Sequence, residues 1–324
     1  MSSLHGHSRG LVVNALRCGV VLMVLLALPT RASAQVFTYQ EGQDLSPAFE
    51  GWEENPDGSY SLVFGYINRN WLEELDLPIG PDNFFSPGAQ DRGQPTHFLP
   101  RRNRFTFKVR VPPDFGDQEL VWTVSTQGNT ESAYGSLRTD YKLDYMVVAS
   151  ETGALGIGVS SAESRANTPP TLTLVGDPVR RVAVGQPVTL VARVSDDGLP
   201  TVRRRAPPRQ REGPPTLTAT QLRPPSRITV AKTVGLHVAW FMYRGEGEPT
   251  FDPPQIKTWE DTRTGANSPW SPLWRAPEAP ENGEWITEVT FDPPGTYVLR
   301  ARADDGGLYH DAAVTITVAP LAFE

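Results

Sequence analysis

Gly295-Thr296-Tyr297-Val298-Leu299-Arg300-Ala301-Arg302-Ala303-Asp304-Asp305-Gly306-Gly307 is the stretch that decides the fold. Tyr297, Leu299, Ala301 and Ala303 share one face of a period-2 pattern, and the pattern stops in an Asp-Asp-Gly-Gly turn. That is a strand with a core face and an abrupt end. Working outward, Val314, Ile316 and Val318 repeat the pattern, as do Leu236, Val238, Trp240 and Met242. Val188, Leu190, Ala192 and Val194 do so again and end in Ser195-Asp196-Asp197-Gly198. The N-terminal half alternates in the same way. Tyr60, Leu62, Phe64 and Tyr66 follow the turn Asn55-Pro56-Asp57-Gly58, whose Asp-Gly suits a tight hairpin and puts Trp52 on the preceding strand. Phe105, Phe107, Val109 and Val111 form a further strand, and Leu120, Trp122 and Val124 another, ending at Gly128-Asn129. With 31 prolines and 28 glycines spread over 324 residues, long helices have no room. The expectation is an all-β protein of two β-sandwich domains in tandem.

The second half also carries a family resemblance. Pro294-Gly295-Thr296-Tyr297-Val298-Leu299 with Ala303-Asp304-Asp305-Gly306, followed by Ala313-Val314-Thr315-Ile316-Thr317-Val318, resembles the last two strands of a PKD-type immunoglobulin-like domain. Gly185-Gln186-Pro187-Val188-Thr189-Leu190 with Asp197-Gly198 is similar to its second strand, and Trp240 stands where such sandwiches bury a strand-C tryptophan. The resemblance spans about a quarter of the chain after its first 34 residues and implies a fold, not an activity. It breaks at Phe241-Met242-Tyr243-Arg244-Gly245, where that family has an Asp-Gly-rich turn, and at a long insertion over 199–233. In the N-terminal half the string Gly65-Tyr66-Ile67-Asn68-Arg69-Asn70 resembles only uncharacterised exported bacterial proteins.

The first residues read as an export signal. Arg9 and Arg17 precede an unbroken apolar run from Cys18 to Leu28; Pro29 breaks it, and Ala32-Ser33-Ala34 supplies small residues for cleavage before Gln35. The run is too short to span about 30 Å of hydrocarbon. Without 1–34, 27 of the 30 basic residues face all 37 acidic ones, and the single cysteine is gone. Disulfides, a thiolate nucleophile and cysteine-ligated metals are thereby excluded, and the acidity argues against nucleic acid as a partner. Export without disulfides fits a bacterial periplasm or the extracellular space.

The expected organisation is a signal peptide at 1–34, an N-terminal β-sandwich at 35–145, a linker at 146–170 ending in Pro169-Pro170, and an immunoglobulin-like domain at 171–320. Strands B and F of such a domain end at the same pole, so Asp196, Asp197, Asp304 and Asp305 should converge there. Calcium would offset their repulsion; so would Arg203, Arg204 and Arg205 of the insertion, or plain solvation of Asp-Gly turns. Calcium is the only cofactor the sequence suggests. Trp259, Trp270, Trp274 and Trp285 crowd one stretch of weak secondary structure, either to stack on sugars or to pack as a lid on the sandwich. There is no Gly-x-Ser-x-Gly elbow after residue 34 and no zinc-helix motif, and His237 lies mid-strand on the side opposite the core face. The expected function is therefore an exported, non-catalytic binding or structural module whose partner is a protein or polysaccharide of the cell envelope. The alternative is a secreted hydrolase built from Asp82, Asp91 or His97 in the long connection 68–103.

Overall fold

The fold is described from a computed structural model, which covers residues 39–152, 161–202, 234–259 and 277–320. It is all-β, as the periodicity requires, with two sandwiches in tandem and separate apolar cores. The first pairs β1 (Leu45–Glu54), β2 (Tyr60–Asn68) and β6 (Arg101–Val111) in one sheet. Its second sheet holds β4 (Asn83–Ser86), β7 (Leu120–Thr126) and β8 (Asn129–Gly135). Trp52 does lie opposite Leu62 in the β1–β2 hairpin. Leu62, Phe64, Phe107 and Val109 from one sheet meet Phe85, Trp122 and Val124 from the other.

The connection 68–103 is a packed cover. Two short strands, β3 (Leu75–Asp76) and β5 (His97–Phe98), pair within it, and Leu75, Phe85 and Phe98 enter the core. Asn83 pins it: its amide donates to Leu77 and Pro95 carbonyls, both at 2.9 Å, and accepts from Trp122 Nε1 at 3.0 Å. Phe105 departs from the expected alternation. A bulge between β2 and β6 and a positive φ at Phe105 turn its ring to the opposite face, where it meets Val63 and Leu143.

The second sandwich orders β10 (Val179–Ala183), β16 (Tyr309–Ala319), β15 (Gly295–Asp304) and β12 (His237–Arg244) in one sheet. The other orders β13 (Thr250–Asp252), β14 (Glu284–Thr290), β11 (Val188–Ser195) and β9 (Thr171–Leu174). With β9 and β10 as the split first strand, and β10 running parallel to the last, these are the A′GFC and DEBA sheets of an immunoglobulin-like sandwich. Trp240, Leu190, Leu299 and Ile316 fill its core, Trp240 in the expected strand-C place.

Within 146–170 the chain forms a helix at Tyr145–Thr152 and a single turn at Ala162–Ala166, the latter closed by a capping box between Ser161 and Ser164. Neither helix nor any other among the described residues is long and apolar enough to cross a membrane.

Candidate functional site

The two sandwiches meet through the outer face of the β12–β15–β16 sheet. On β12, Trp240 and Met242 point into the second core, while Tyr243 packs into the first. Tyr243 donates its hydroxyl to the Gly93 carbonyl and accepts at its own carbonyl from Thr96 N–H at 3.2 Å. Arg244 donates Nε to the Gln94 carbonyl at 2.8 Å and grips both oxygens of Asp91 at 3.0 and 2.7 Å. From β15, Arg300 lies 3.4 Å above the Tyr243 ring and donates to the Thr106 carbonyl. Tyr309 reaches the Phe105 carbonyl at 3.0 Å. His237, expected on the surface, is buried beside Asp304 on the neighbouring strand, and its Nδ1 lies 3.0 Å from the Gly235 carbonyl.

Of the residues considered for hydrolysis, His97 is enclosed. It is 3 % exposed, with Nδ1 at 2.7 Å from Asp76 and Nε2 at 2.6 Å from Glu74. Burial alone would lower its pKa, but hydrogen bonds to the two carboxylates outweigh that and push it up to about 9. An imidazolium with both nitrogens occupied has no lone pair with which to take a proton at neutral pH. Asp91 is held below the usual carboxylate range by its hydrogen bonds to Arg244. Asp82 is exposed and contributes its backbone carbonyl to Ser125 N–H.

Consecutive residues of the preceding segment bridge the two Asp-Asp-Gly turns. Thr168 donates from N–H and Oγ1 to Asp197 at 2.9 and 2.7 Å, and Asn167 Nδ2 donates to Asp305 at 3.2 Å. Each of the four carboxylates accepts from its own turn: Asp196 from Gly198 N–H, Asp197 from Leu199, Asp304 from Gly306, and Asp305 from Gly307 and Leu308. Burial nevertheless raises the Asp305 pKa to about 7. Among the described residues no group of three or more histidine, cysteine or acidic side chains is arranged to hold a metal. Arg203, Arg204 and Arg205 lie outside the described residues.

Trp270 and Trp274 also lie outside them. Trp285 packs against the second core from β14. Trp259 instead lines an open cleft of about 280 Å³ between the sandwiches, together with Glu74, Leu99, Phe251, Pro254 and Ile256. Lys257 Nζ sits 5.6 Å from the Trp259 ring centroid. The sequence reading missed this cleft because its walls come from residues about 180 positions apart. One signal was present: Phe241 and Tyr243 make β12 apolar on both sides, and a strand apolar on both sides has something packed on each.

No protein-family model and no curated protein matches the chain. Among solved structures, a titin and obscurin-like immunoglobulin complex aligns with 48% of this chain and 99% of its own, at 15% identity and a TM-score of 0.20. Fibronectin(III)-like modules of Clostridium thermocellum CbhA align over 87% of this chain and 98% of theirs, at 10% identity and 0.21. Domains 4 and 5 of the S-layer protein SbsC align over 86% and 98%, at 11% and 0.22. At such scores the strand order carries the assignment. The second sandwich is immunoglobulin-like.

Proposed function

We propose that this chain is an exported, non-catalytic binding or structural module of the bacterial envelope or the extracellular space. The state of His97 carries the non-catalytic part: the one histidine in the long connection is buried, doubly hydrogen-bonded and cationic, and it braces the cover. Asp91, a second candidate there, is tied to Arg244 across the junction of the sandwiches, and Asp82, the third, is exposed. In this reading residues 1–34 are removed on export, 35–145 and 171–320 are the two domains, and the second is of the PKD type. The Asp196, Asp197, Asp304 and Asp305 pole is a set of turn caps that anchors the preceding segment rather than a calcium site. Sugar stacking is a second reading, favoured by the placement of Trp259 at an open cleft.

The test is expression of the whole gene product in a bacterium, followed by mass spectrometry of the exported chain and a screen against glycoside, ester and peptide substrates. A start at Gln35 with no turnover is expected. Turnover that disappears in Asp91→Ala would overturn the non-catalytic reading, and a chain that keeps Met1 would overturn export.

A further inference from the structure

The cleft beside Trp259 has an unusual wall. Trp240, Phe241 and Met242 are consecutive residues of β12, and all three border it. Since the Trp240 and Met242 side chains lie in the core of the second sandwich, what they add to the wall is the edge of the strand. β12 is the last strand of its sheet, so one edge faces away from β15.

The register fixes which main-chain groups lie on that edge. Trp240 N–H donates at 2.8 Å to the side-chain oxygen of Gln255, not to β15, so the Trp240–Ala301 pair is the non-hydrogen-bonded kind. Alternation then gives Met242–Leu299 the same character. The Trp240 C=O and Met242 N–H therefore both point away from β15 and toward the cleft. Among the described residues neither has a partner. The edge is closed on both sides of this gap, by Gln255 at the Trp240 N–H and by Thr96 at the Tyr243 carbonyl. A strand edge with main-chain donors and acceptors left open is a ready template for another strand.

We propose that this gap is a strand-addition site, which takes an extended peptide segment of a partner protein with an apolar side chain next to the residue that pairs. One residue of such a segment, running parallel to β12, donates to the Trp240 carbonyl and accepts from the Met242 amide at once. Its apolar neighbour fills the space between Phe251, Ile256 and Trp259. Glu74 is already paired with the His97 imidazolium and the Lys257 ammonium faces the Trp259 ring, so apolar contact rather than charge sets the flanking side chain. A sugar ring would use Trp259 but leave the strand edge unmatched. The proposal rests on the binding-module reading and gives it a partner chemistry.

The experiment pans a display library of random peptides against the whole exported chain, with the Ile256→Glu variant as counter-target. Enriched sequences should share an apolar residue within an extended, strand-forming stretch, and a synthetic copy should slow exchange of the Met242 amide about tenfold or more. Methylating the peptide nitrogen that faces β12 should weaken binding about tenfold, the size of one hydrogen bond, while methylating its neighbour should not. This second measurement needs no protein variant and so survives any folding defect in Ile256→Glu. No enrichment over the counter-target, bound peptides that leave Met242 exchange unchanged, or a cleft that takes oligosaccharide instead would each overturn the proposal. Turnover in the substrate screen would overturn the non-catalytic reading without touching this one.

Discussion

His97 and Asp305 are both buried, yet their linkage to folding has opposite sign. His97 titrates near 9 when folded against about 6.5 in an unfolded chain, so its contribution is complete below about 6.5 and lost as pH rises through about 9. Asp305 titrates near 7 when folded against about 3.9 unfolded, so the folded state binds its proton more tightly and stability falls as pH rises from about 4 to about 7. Melting temperature against pH should therefore flatten above 7 in His97→Gln and between 4 and 7 in Asp305→Asn. The second variant should also be more stable than the parent at pH 8. The asparagine still accepts from Gly307 and Leu308, and Asn167, whose Oδ1 is buried without a partner among the described residues, can turn to accept its new donor. A lower melting temperature for Asp305→Asn at pH 8 would show the carboxylate to be needed as a charge. Because the four pole carboxylates already accept main-chain N–H groups, calcium or chelator should leave the melting temperature unmoved. A calcium-dependent rise abolished by Asp304→Asn with Asp305→Asn would make the pole a metal site.

At the scale of the element, β1 and β12 depend on single positions. β1 shifts register between Phe49 and Gly51, and Gly51 takes a φ of 138° there. A Cβ at Gly51 would collide with the Tyr141 carbonyl and the Leu143 side chain, so Gly51→Ala should cost about 2–4 kcal/mol in denaturant unfolding. β12 shares its side chains between two cores, and Tyr243→Ala should cost about 3–5 kcal/mol, as for a large aromatic deleted from a core. A loss below about 1 kcal/mol would mean that the sandwiches are not packed through this ring.

For the whole molecule, the junction makes one body of two sandwiches. It is built from a buried tyrosine, arginines bonded to carbonyls and a short β12 contact with the 93–96 segment, not from a mobile tether. Calorimetry should record a single unfolding transition for the parent and two for Tyr243→Ala combined with Arg300→Ala, since cooperativity across domains needs this interface. Two transitions in the parent would show that the cores melt independently.

Alternation determined the all-β class and most of the strand core faces, because a half-buried strand needs only local period-2 order to choose its core face, and the resemblance of 185–198 and 294–318 added the immunoglobulin-like half. The Asp57-Gly58 turn likewise set the β1–β2 hairpin locally. What lay on the second faces was decided by tertiary structure. The pattern marked His237 as exposed, because only Phe241 and Tyr243, further along β12, signal that this side of the strand is covered. His97, Asp76 and Glu74 are a triad only because two two-residue strands pair within the cover. The cleft exists because residues near 74 and near 250 meet across the junction, and its open strand edge exists because Gln255 and Thr96 close the edge on either side but not between. Those contacts are long-range, and their partners share no periodicity along the chain, so only the folded packing brings them into register.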